Sequence, residues 1–163
     1  MDSTPENGIL QKALVNNGIE AVTMNQQSEI DMQFTFSKEI KTGDITNQKS
    51  SGRCWMFAGM NVLRKQIMAK CNLKKFELSQ NYILFYDKLE KANYFYENIL
   101  DTLDEATDSR LIAWLLSGPL NDGGQWDMLV NIIDKYGVVP KWIMPETFHS
   151  SNTKKMTQLL TRK

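Results

Sequence analysis

Two residues of this sequence have the types and the spacing that acyl-transfer chemistry needs: Cys54 and, six positions before it, Gln48. A cysteine thiolate can attack a carbonyl carbon, and a glutamine amide can donate a hydrogen bond to the oxygen that becomes negative. The apolar residues that recur at helical spacing after Cys54 are Met56, Met60, Leu63 and Ile67. We therefore expect a helix over about residues 54–70, whose dipole favours the thiolate at its first residue.

A cysteine at the start of a buried helix is more commonly a core residue than a nucleophile. Three neighbours favour the nucleophile here, because a possible oxyanion donor, a glycine and a tryptophan surround the thiol. They are Gln48, Gly52 and Trp55.

The eight residues from Gln48 to Trp55 read Gln-Lys-Ser-Ser-Gly-Arg-Cys-Trp. They resemble the papain-like cysteine peptidases, whose general signature is Cys-Gly-Ser/Ala-Cys-Trp/Tyr. Ser51 replaces a cysteine that is disulfide-bonded in secreted papains, and Arg53 replaces the small residue. Both departures are similar to the bleomycin hydrolase and aminopeptidase C branch. The resemblance implies that Cys54 is the nucleophile and that Gln48 is the oxyanion donor.

A second segment, Asn121 to Val130, contains the run Asp122-Gly123-Gly124. It resembles the Gly-Gly wall of the family's substrate cleft, where bare backbone hydrogen-bonds a peptide as a strand would. The resemblance implies that Asp122, Gly123 and Gly124 bind substrate. A glycine pair alone would instead indicate a tight turn before a helix. A third segment, Phe76–Tyr82, resembles the family's Leu-Ser-Gln helix start, with Ser79 as the N-cap.

A papain-like site also needs a histidine base and an Asn or Asp that orients it, roughly 130–150 residues after the cysteine. The chain has one histidine, His149, which lies closer than that and falls in a polar segment that we expect to be an exposed loop. We therefore do not expect His149 to be the base. We expect an N-terminal part of a peptidase that is truncated before the β-rich half and is inactive alone, because the catalytic His and Asn are absent. The final helical pattern fits truncation, since it has no Gly or Pro stop signal.

The resemblance implies an α+β fold that is mostly helical here, the left, helical half of a papain-like fold with its long central helix starting at Cys54. We expect residues 1–44 to form a leader or arm and residues 45–163 to form the helical part of the peptidase domain. The leader should contain one short amphipathic helix that Asn17-Gly18 breaks, and an extended segment from Gln33 to Phe36. Further helices are expected at about 79–100, 109–116, 125–136 and 151–162.

Composition excludes several classes of protein. Hydrophobic content of 42% argues against a disordered chain, and no apolar run is long enough for a membrane-spanning helix. The polar N-terminus is not a secretory signal, and two cysteines do not make a disulfide framework, so we expect a cytoplasmic protein. Cys54 and Cys71 lack metal-ligand spacing, so no metal site and no cofactor are expected.

The expected partner is a peptide substrate, and the resemblance allows a family-like homo-oligomer, a hexamer, for the full-length protein. No membrane partner is expected. The net charge of +0 and two separated lysine pairs, Lys74-Lys75 and Lys154-Lys155, do not support nucleic-acid binding. Aromatic and aliphatic residues at helical spacing over 82–99 favour core or inter-subunit packing. A second hypothesis stays open, a noncatalytic helical interaction or assembly module derived from such a peptidase.

Overall fold

The computed structural model describes residues 4–33, 35–38 and 43–162. The chain divides into two compact units, Met1–Ile40 and Lys41–Lys163. The mostly helical architecture is confirmed, since the described residues form eight helices and contain two isolated β-bridges instead of strands. The bridges pair Ser50 with Asn152 and Leu78 with Pro140. The functional division that we predicted at residues 44 and 45 stays a prediction.

The first unit contains α1 (Pro5–Thr23) and α2 (Gln26–Asp31). Thr4 caps α1, because its hydroxyl accepts a hydrogen bond from the backbone N–H of Asn7 at 3.4 Å. The predicted break at Asn17-Gly18 is present: Gly18 has φ +78°, a non-helical conformation that glycine adopts without strain, and two helical segments meet there at a kink within α1. The predicted extended segment includes Phe34, which lies outside the described residues.

The second unit contains the six remaining helices. They are α3 (Cys54–Lys70), α4 (Gln80–Asp101), α5 (Arg110–Ser117), α6 (Trp126–Tyr136), α7 (Phe148–Ser151) and α8 (Thr153–Arg162). Four predicted helices, α3 to α6, are confirmed to within one residue. Ser79 is the N-cap of α4 as predicted, accepting a hydrogen bond from Tyr82 N–H at 3.0 Å. None of the described helices has the length and hydropathy needed to cross a bilayer.

The C-terminal helical prediction was only partly right. Residues 151–162 do not form one helix, because a short helix, α7, ends just before α8 begins. His149 therefore lies in α7 and not in a loop, although it is exposed as expected. Thr147 and Ser150 explain this turn, since each side chain bonds the other residue's backbone N–H in a capping box.

Helices α3, α4 and α6 enclose the core of the second unit. The residues buried at its centre are Met56, Met60, Leu78, Ile83, Leu84, Leu129 and Ile132. Leu63 and Ile67 pack against them, so the predicted apolar face of α3 is confirmed. Burying such side chains contributes roughly 1.5–3 kcal/mol each, which fixes the three helices and the loops that join them.

The predicted packing face of α4 is only partly in the core, where Tyr82 and Tyr86 lie against the buried residues. Three other residues at the predicted helical spacing over 82–99 are about half exposed, namely Phe85, Leu89 and Tyr96. Two ionisable residues, Asp87 and Lys88, are buried instead. Buried charges need partners: Asp87 is paired with Lys91 on the same helix, whereas Lys88 donates to the loop before α6. Helix α4 thus contributes a polar strip that supports the candidate site.

Candidate active site

Cys54 is the first residue of α3, and its side chain is exposed and free. The interpretation of Cys54 as a buried core residue does not fit this position. Arg53 is the N-cap residue, but its side chain does not cap the helix. The thiol therefore lies at the positive end of the helix dipole, beside backbone N–H groups that no capping side chain occupies. Cys71, the other free and exposed cysteine, lies at the opposite end of the same helix.

A tight turn places Gln48 just before the helix. The Asn47 side chain accepts a hydrogen bond from Lys49 N–H at 2.8 Å, and Lys49 has φ +57°. The Gln48 carbonyl then accepts a hydrogen bond from the Ser51 hydroxyl at 2.6 Å. The Gln48 side chain is half-buried, and its Oε1 atom accepts no hydrogen bond within the described residues. The turn therefore fixes the Gln48 backbone ahead of α3.

Arg53 anchors the other side of this turn. Its guanidinium makes two parallel hydrogen bonds to the Glu146 carboxylate, each 2.9 Å long. Arg53 is fully buried, and its Nε atom also donates to the Ser51 hydroxyl at 2.8 Å. Burial is the largest effect on Glu146 and raises its pKa, but hydrogen bonds from Arg53 and Ser150 outweigh it, so the net pKa is lowered. The pair joins the residue before the thiol to the segment before α7.

Asp122 binds the same turn from a different segment. Its Oδ2 atom accepts hydrogen bonds from the Gly52 N–H at 3.4 Å and from the Thr153 hydroxyl. Its Oδ1 atom accepts from Lys88 Nζ at 2.7 Å and from the Thr157 hydroxyl at 3.1 Å. Burial is the largest single effect and raises the pKa of Asp122, but these hydrogen bonds, first that of Lys88, lower it to about 2. Asp122 is therefore a carboxylate at neutral pH.

Trp55, the residue after the thiol, contacts the loop that contains the glycine pair. Its indole N–H donates to the Asp122 carbonyl at 2.9 Å. A Cβ atom on Gly124 would lie 2.3 Å from the indole ring, so only glycine allows this approach. A Cβ atom on Gly123 would meet nothing within 4 Å. Gly124 therefore packs on Trp55, whereas Gly123 borders open space.

Two lysines of α4 hold the loop before α6. Lys88 Nζ donates to the carbonyl of Leu120 at 2.7 Å and to that of Asn121 at 3.0 Å. Lys91 Nζ donates to the carbonyls of Asn121 at 2.9 Å and Gly123 at 2.7 Å. This loop makes few backbone hydrogen bonds of its own, and the two ammonium groups replace them.

Lys91 is paired with Asp87, one turn earlier on α4, at 2.9 Å. Burial, the largest effect on each, raises the pKa of Asp87 and lowers the pKa of Lys91, and their attraction opposes both shifts. Taking this pair out of water costs free energy that the pair alone does not recover. The loop carbonyls supply the additional acceptors that a buried ammonium needs.

The structure brings the predicted residues together around one junction. Cys54 begins α3, Gln48 lies in the turn before it, and Asp122 to Gly124 contact the residues on both sides of the thiol. The roles assigned to them stay predictions. The Asp122 side chain is bonded to protein at both oxygens and its carbonyl accepts from Trp55, so of this residue only the backbone N–H has no partner among the described residues. Arg53, Glu146, Lys88 and Lys91 were not predicted as site residues.

His149 has no described hydrogen bond to Cys54. Its ring packs edge-on against Phe148, with 5.3 Å between centroids. Its backbone carbonyl accepts from Asn152 N–H at 3.3 Å, which closes α7. Among the described residues, no group of three His, Cys, Asp or Glu side chains could hold a metal ion.

Comparison with known proteins gives the family. The model of the Peptidase C1-like family matches residues 1–163. Aminopeptidase C of Listeria monocytogenes is 53% identical over 159 residues, which are 98% of this chain and 36% of the relative. Human bleomycin hydrolase is 50% identical over 121 residues, 73% of this chain and 27% of the relative.

A solved structure agrees with these relatives. The crystal structure of PepW from Lactobacillus rhamnosis HN001 superposes with a TM-score of 0.87 and is 54% identical, covering 98% of this chain and 36% of that one. The chain thus spans about a third of the length of the first relatives that it matches. With a family model matched from end to end, the chain belongs to the Peptidase C1-like family.

Proposed function

We propose that this chain contributes the nucleophile, the oxyanion donor and one cleft wall to the active site of a cysteine peptidase. The observation that carries the proposal is the position of Cys54: an exposed thiol begins α3, and the residues on both sides of it contact the Asp122–Gly124 loop. That loop offers bare backbone, and a peptide substrate is recognised largely through its own backbone.

The chemistry follows from the groups at the junction. The Cys54 thiolate attacks the carbonyl carbon of a peptide bond, and the carbonyl oxygen becomes negative. The Gln48 amide and the Cys54 backbone N–H donate hydrogen bonds to that oxygen, each donor contributing about 3–4 kcal/mol. The amine then leaves with a proton, and water hydrolyses the thioester. The base that takes the thiol proton is not assigned to a residue of this chain.

The names of the relatives extend the proposal to specificity. Relatives are named aminopeptidase C and bleomycin hydrolase, which supports cleavage at the N-terminal residue of a peptide. The expected partners are a peptide substrate and further copies of the same protein in a hexamer. A cytoplasmic location remains part of the proposal, and it is consistent with two free cysteines.

A second candidate function is a noncatalytic assembly module. One observation favours it: several large apolar side chains of the second unit are exposed, among them Trp114, Trp126, Trp142 and Phe148. Exposed apolar surface is typical of protein–protein contacts. This function would not need the thiol, whereas a peptidase would.

A chimera tests the peptidase proposal. The chain replaces the matching segment of Listeria monocytogenes aminopeptidase C, and hydrolysis of a fluorogenic aminoacyl amide is measured under reducing conditions. We expect turnover that Cys54→Ala abolishes and that Cys71→Ala, the matched control on the same helix, retains. Undiminished turnover by the Cys54→Ala chimera would overturn the proposal.

A further inference from the structure

Lys91 of α4 contacts the loop that contains Gly123 and Gly124. Its ammonium group has three protons, and each has an acceptor: Asp87 Oδ2 at 2.9 Å, the Asn121 carbonyl at 2.9 Å and the Gly123 carbonyl at 2.7 Å. The side chain is 11% exposed. A largely covered lysine with every donor directed at a neighbour fixes the orientation of each of those neighbours.

The hydrogen bond to Gly123 sets the direction of the next N–H. The peptide bond between Gly123 and Gly124 is trans and planar, so its C=O and its N–H point in opposite directions. The carbonyl points towards Lys91 on α4, so the Gly124 N–H points away from α4. Within residues 4–33, 35–38 and 43–162, no group accepts a hydrogen bond from this N–H.

Trp55 supports the same peptide from another side. Its indole ring lies under Gly124, and the Lys91 ammonium is 5.6 Å from the ring centroid. The indole N–H bonds the Asp122 carbonyl, one residue earlier in the loop. Because glycine has the widest conformational freedom of any residue, a glycine pair holds one orientation only when such contacts impose it.

We infer that Lys91 is a positioning residue, which orients the Gly123–Gly124 peptide so that the Gly124 N–H donates to a backbone carbonyl of the bound peptide substrate. The inference rests on the proposed function, because it deepens the substrate recognition of that same site. Lys91 does not touch the substrate. It acts through its hydrogen bond to the Gly123 carbonyl. Removing Lys91 and Asp87 from water to form this arrangement costs free energy.

The test uses the 163-residue chain with three variants. Lys91→Met removes the ammonium but leaves Asp87 buried without its partner, so Lys91→Met/Asp87→Leu removes both charges and protects the fold. Lys135→Met is the matched control, since Lys135 also forms an ion pair with a helix α4 carboxylate, Glu90, but is 61% exposed and does not contact the loop. Circular dichroism confirms that each variant is folded.

Two readouts separate this inference from the proposed function. The first is the ratio of the rates at which a peptidyl chloromethyl ketone and iodoacetamide alkylate Cys54. We expect that ratio to fall about tenfold in both Lys91 variants, because one well-oriented hydrogen bond to the reagent is lost. The iodoacetamide rate should not change. The second is the NMR order parameter of the Gly123 and Gly124 amides, which should fall in the same variants and stay unchanged in Lys135→Met.

The outcomes are distinguishable. A lower ratio together with mobile glycine amides in the double variant supports the inference. Ordered glycine amides in the folded double variant would overturn it, whatever the ratio, because the lysine would then serve only to neutralise Asp87. A wild-type chain whose Cys54 shows no preference for the peptidyl reagent would contradict the proposed function, and the amide order parameters would still decide the role of Lys91.

Discussion

Arg53 and Glu146, which lie 93 positions apart in the sequence, form a two-pronged ion pair immediately before the candidate nucleophile. The side chain of Arg53 is 1% exposed and that of Glu146 is 23% exposed. The planar guanidinium matches both carboxylate oxygens, a geometry that a lysine could not reproduce. The pair therefore ties the start of α3 to the segment that precedes α7.

Removing one partner of this pair should be costly. Glu146→Gln leaves the Arg53 charge buried and uncompensated, and we expect it to lower the free energy of unfolding by about 3–5 kcal/mol. The measurement is urea denaturation followed by circular dichroism. Asp44→Asn is the matched control, because the Lys75–Asp44 pair is 83% and 76% exposed, and it should cost less than about 1 kcal/mol. Equal effects of the two substitutions would contradict the anchoring role.

The glycine pair offers a test with its control one residue away. Gly124→Ala places a methyl group 2.3 Å from the Trp55 ring, so the loop or the indole must shift. We expect a loss of about 1–3 kcal/mol in unfolding free energy, typical of overpacking. Gly123→Ala borders open space and should cost much less. Thermal denaturation of both variants measures the difference, and equal melting temperatures would show that Gly124 does not pack closely on Trp55.

The lowered pKa of Asp122 predicts how the free energy of unfolding depends on pH. Its pKa is about 2 in the folded chain and is ordinary, near 3.8, when the chain is unfolded. A lowered folded pKa gives stability that is complete above the unfolded pKa and is lost as the pH falls through the folded pKa. We expect about 2 kcal/mol from this group at neutral pH, lost mainly between about pH 4 and pH 2.

Denaturation across pH 2 to 5 checks this prediction. The acid limb of the stability curve should be flatter in Asp122→Asn than in the wild-type chain, because the asparagine does not titrate. Asp108→Asn, at an exposed site in the connection between α4 and α5, is the control. If Asp122→Asn and the wild-type chain lost stability in parallel, the hydrogen bonds to Asp122 would not stabilise its charged form.

Gln48 should raise the rate of the chemical step and have little effect on substrate binding. In the active chimera, Gln48→Ala removes a donor that acts on the oxyanion, which exists only after attack begins. We expect kcat to fall about 100- to 1,000-fold with little change in KM. Steady-state hydrolysis of the aminoacyl amide provides both constants. A raised KM with an undiminished kcat would place Gln48 in substrate binding instead.

Local patterns in the sequence were enough to locate the candidate nucleophile. The apolar residues after Cys54 predict α3 and its buried face, and Ser79 predicts the start of α4, because both signals involve residues within one or two helical turns. The Thr147–Ser150 capping box gives no such signal, because its N3 residue is Ser150 and not the Glu or Gln of the usual pattern, so the sequence does not predict the short helix that contains His149.

The contacts that position the site could not be predicted in the same way. The partner of Arg53 is 93 residues away, and no local pattern identifies Glu146 among the other carboxylates. Asp87 and Lys91 show the helical spacing of an ion pair, which usually indicates a solvated face. Here the loop before α6 folds over the pair, and its carbonyls accept hydrogen bonds from Lys91, which is a tertiary effect.

The central claim, that Cys54 is a peptidase nucleophile, is tested most directly within the chain itself. Cys54 and Cys71 are both free and exposed, so each serves as the control for the other. The reduced chain is treated with a limiting amount of a peptidyl chloromethyl ketone, and mass spectrometry of its peptides locates the adduct. We expect labelling at Cys54 to exceed labelling at Cys71 at least tenfold; equal labelling of the two, or preference for Cys71, would contradict the account.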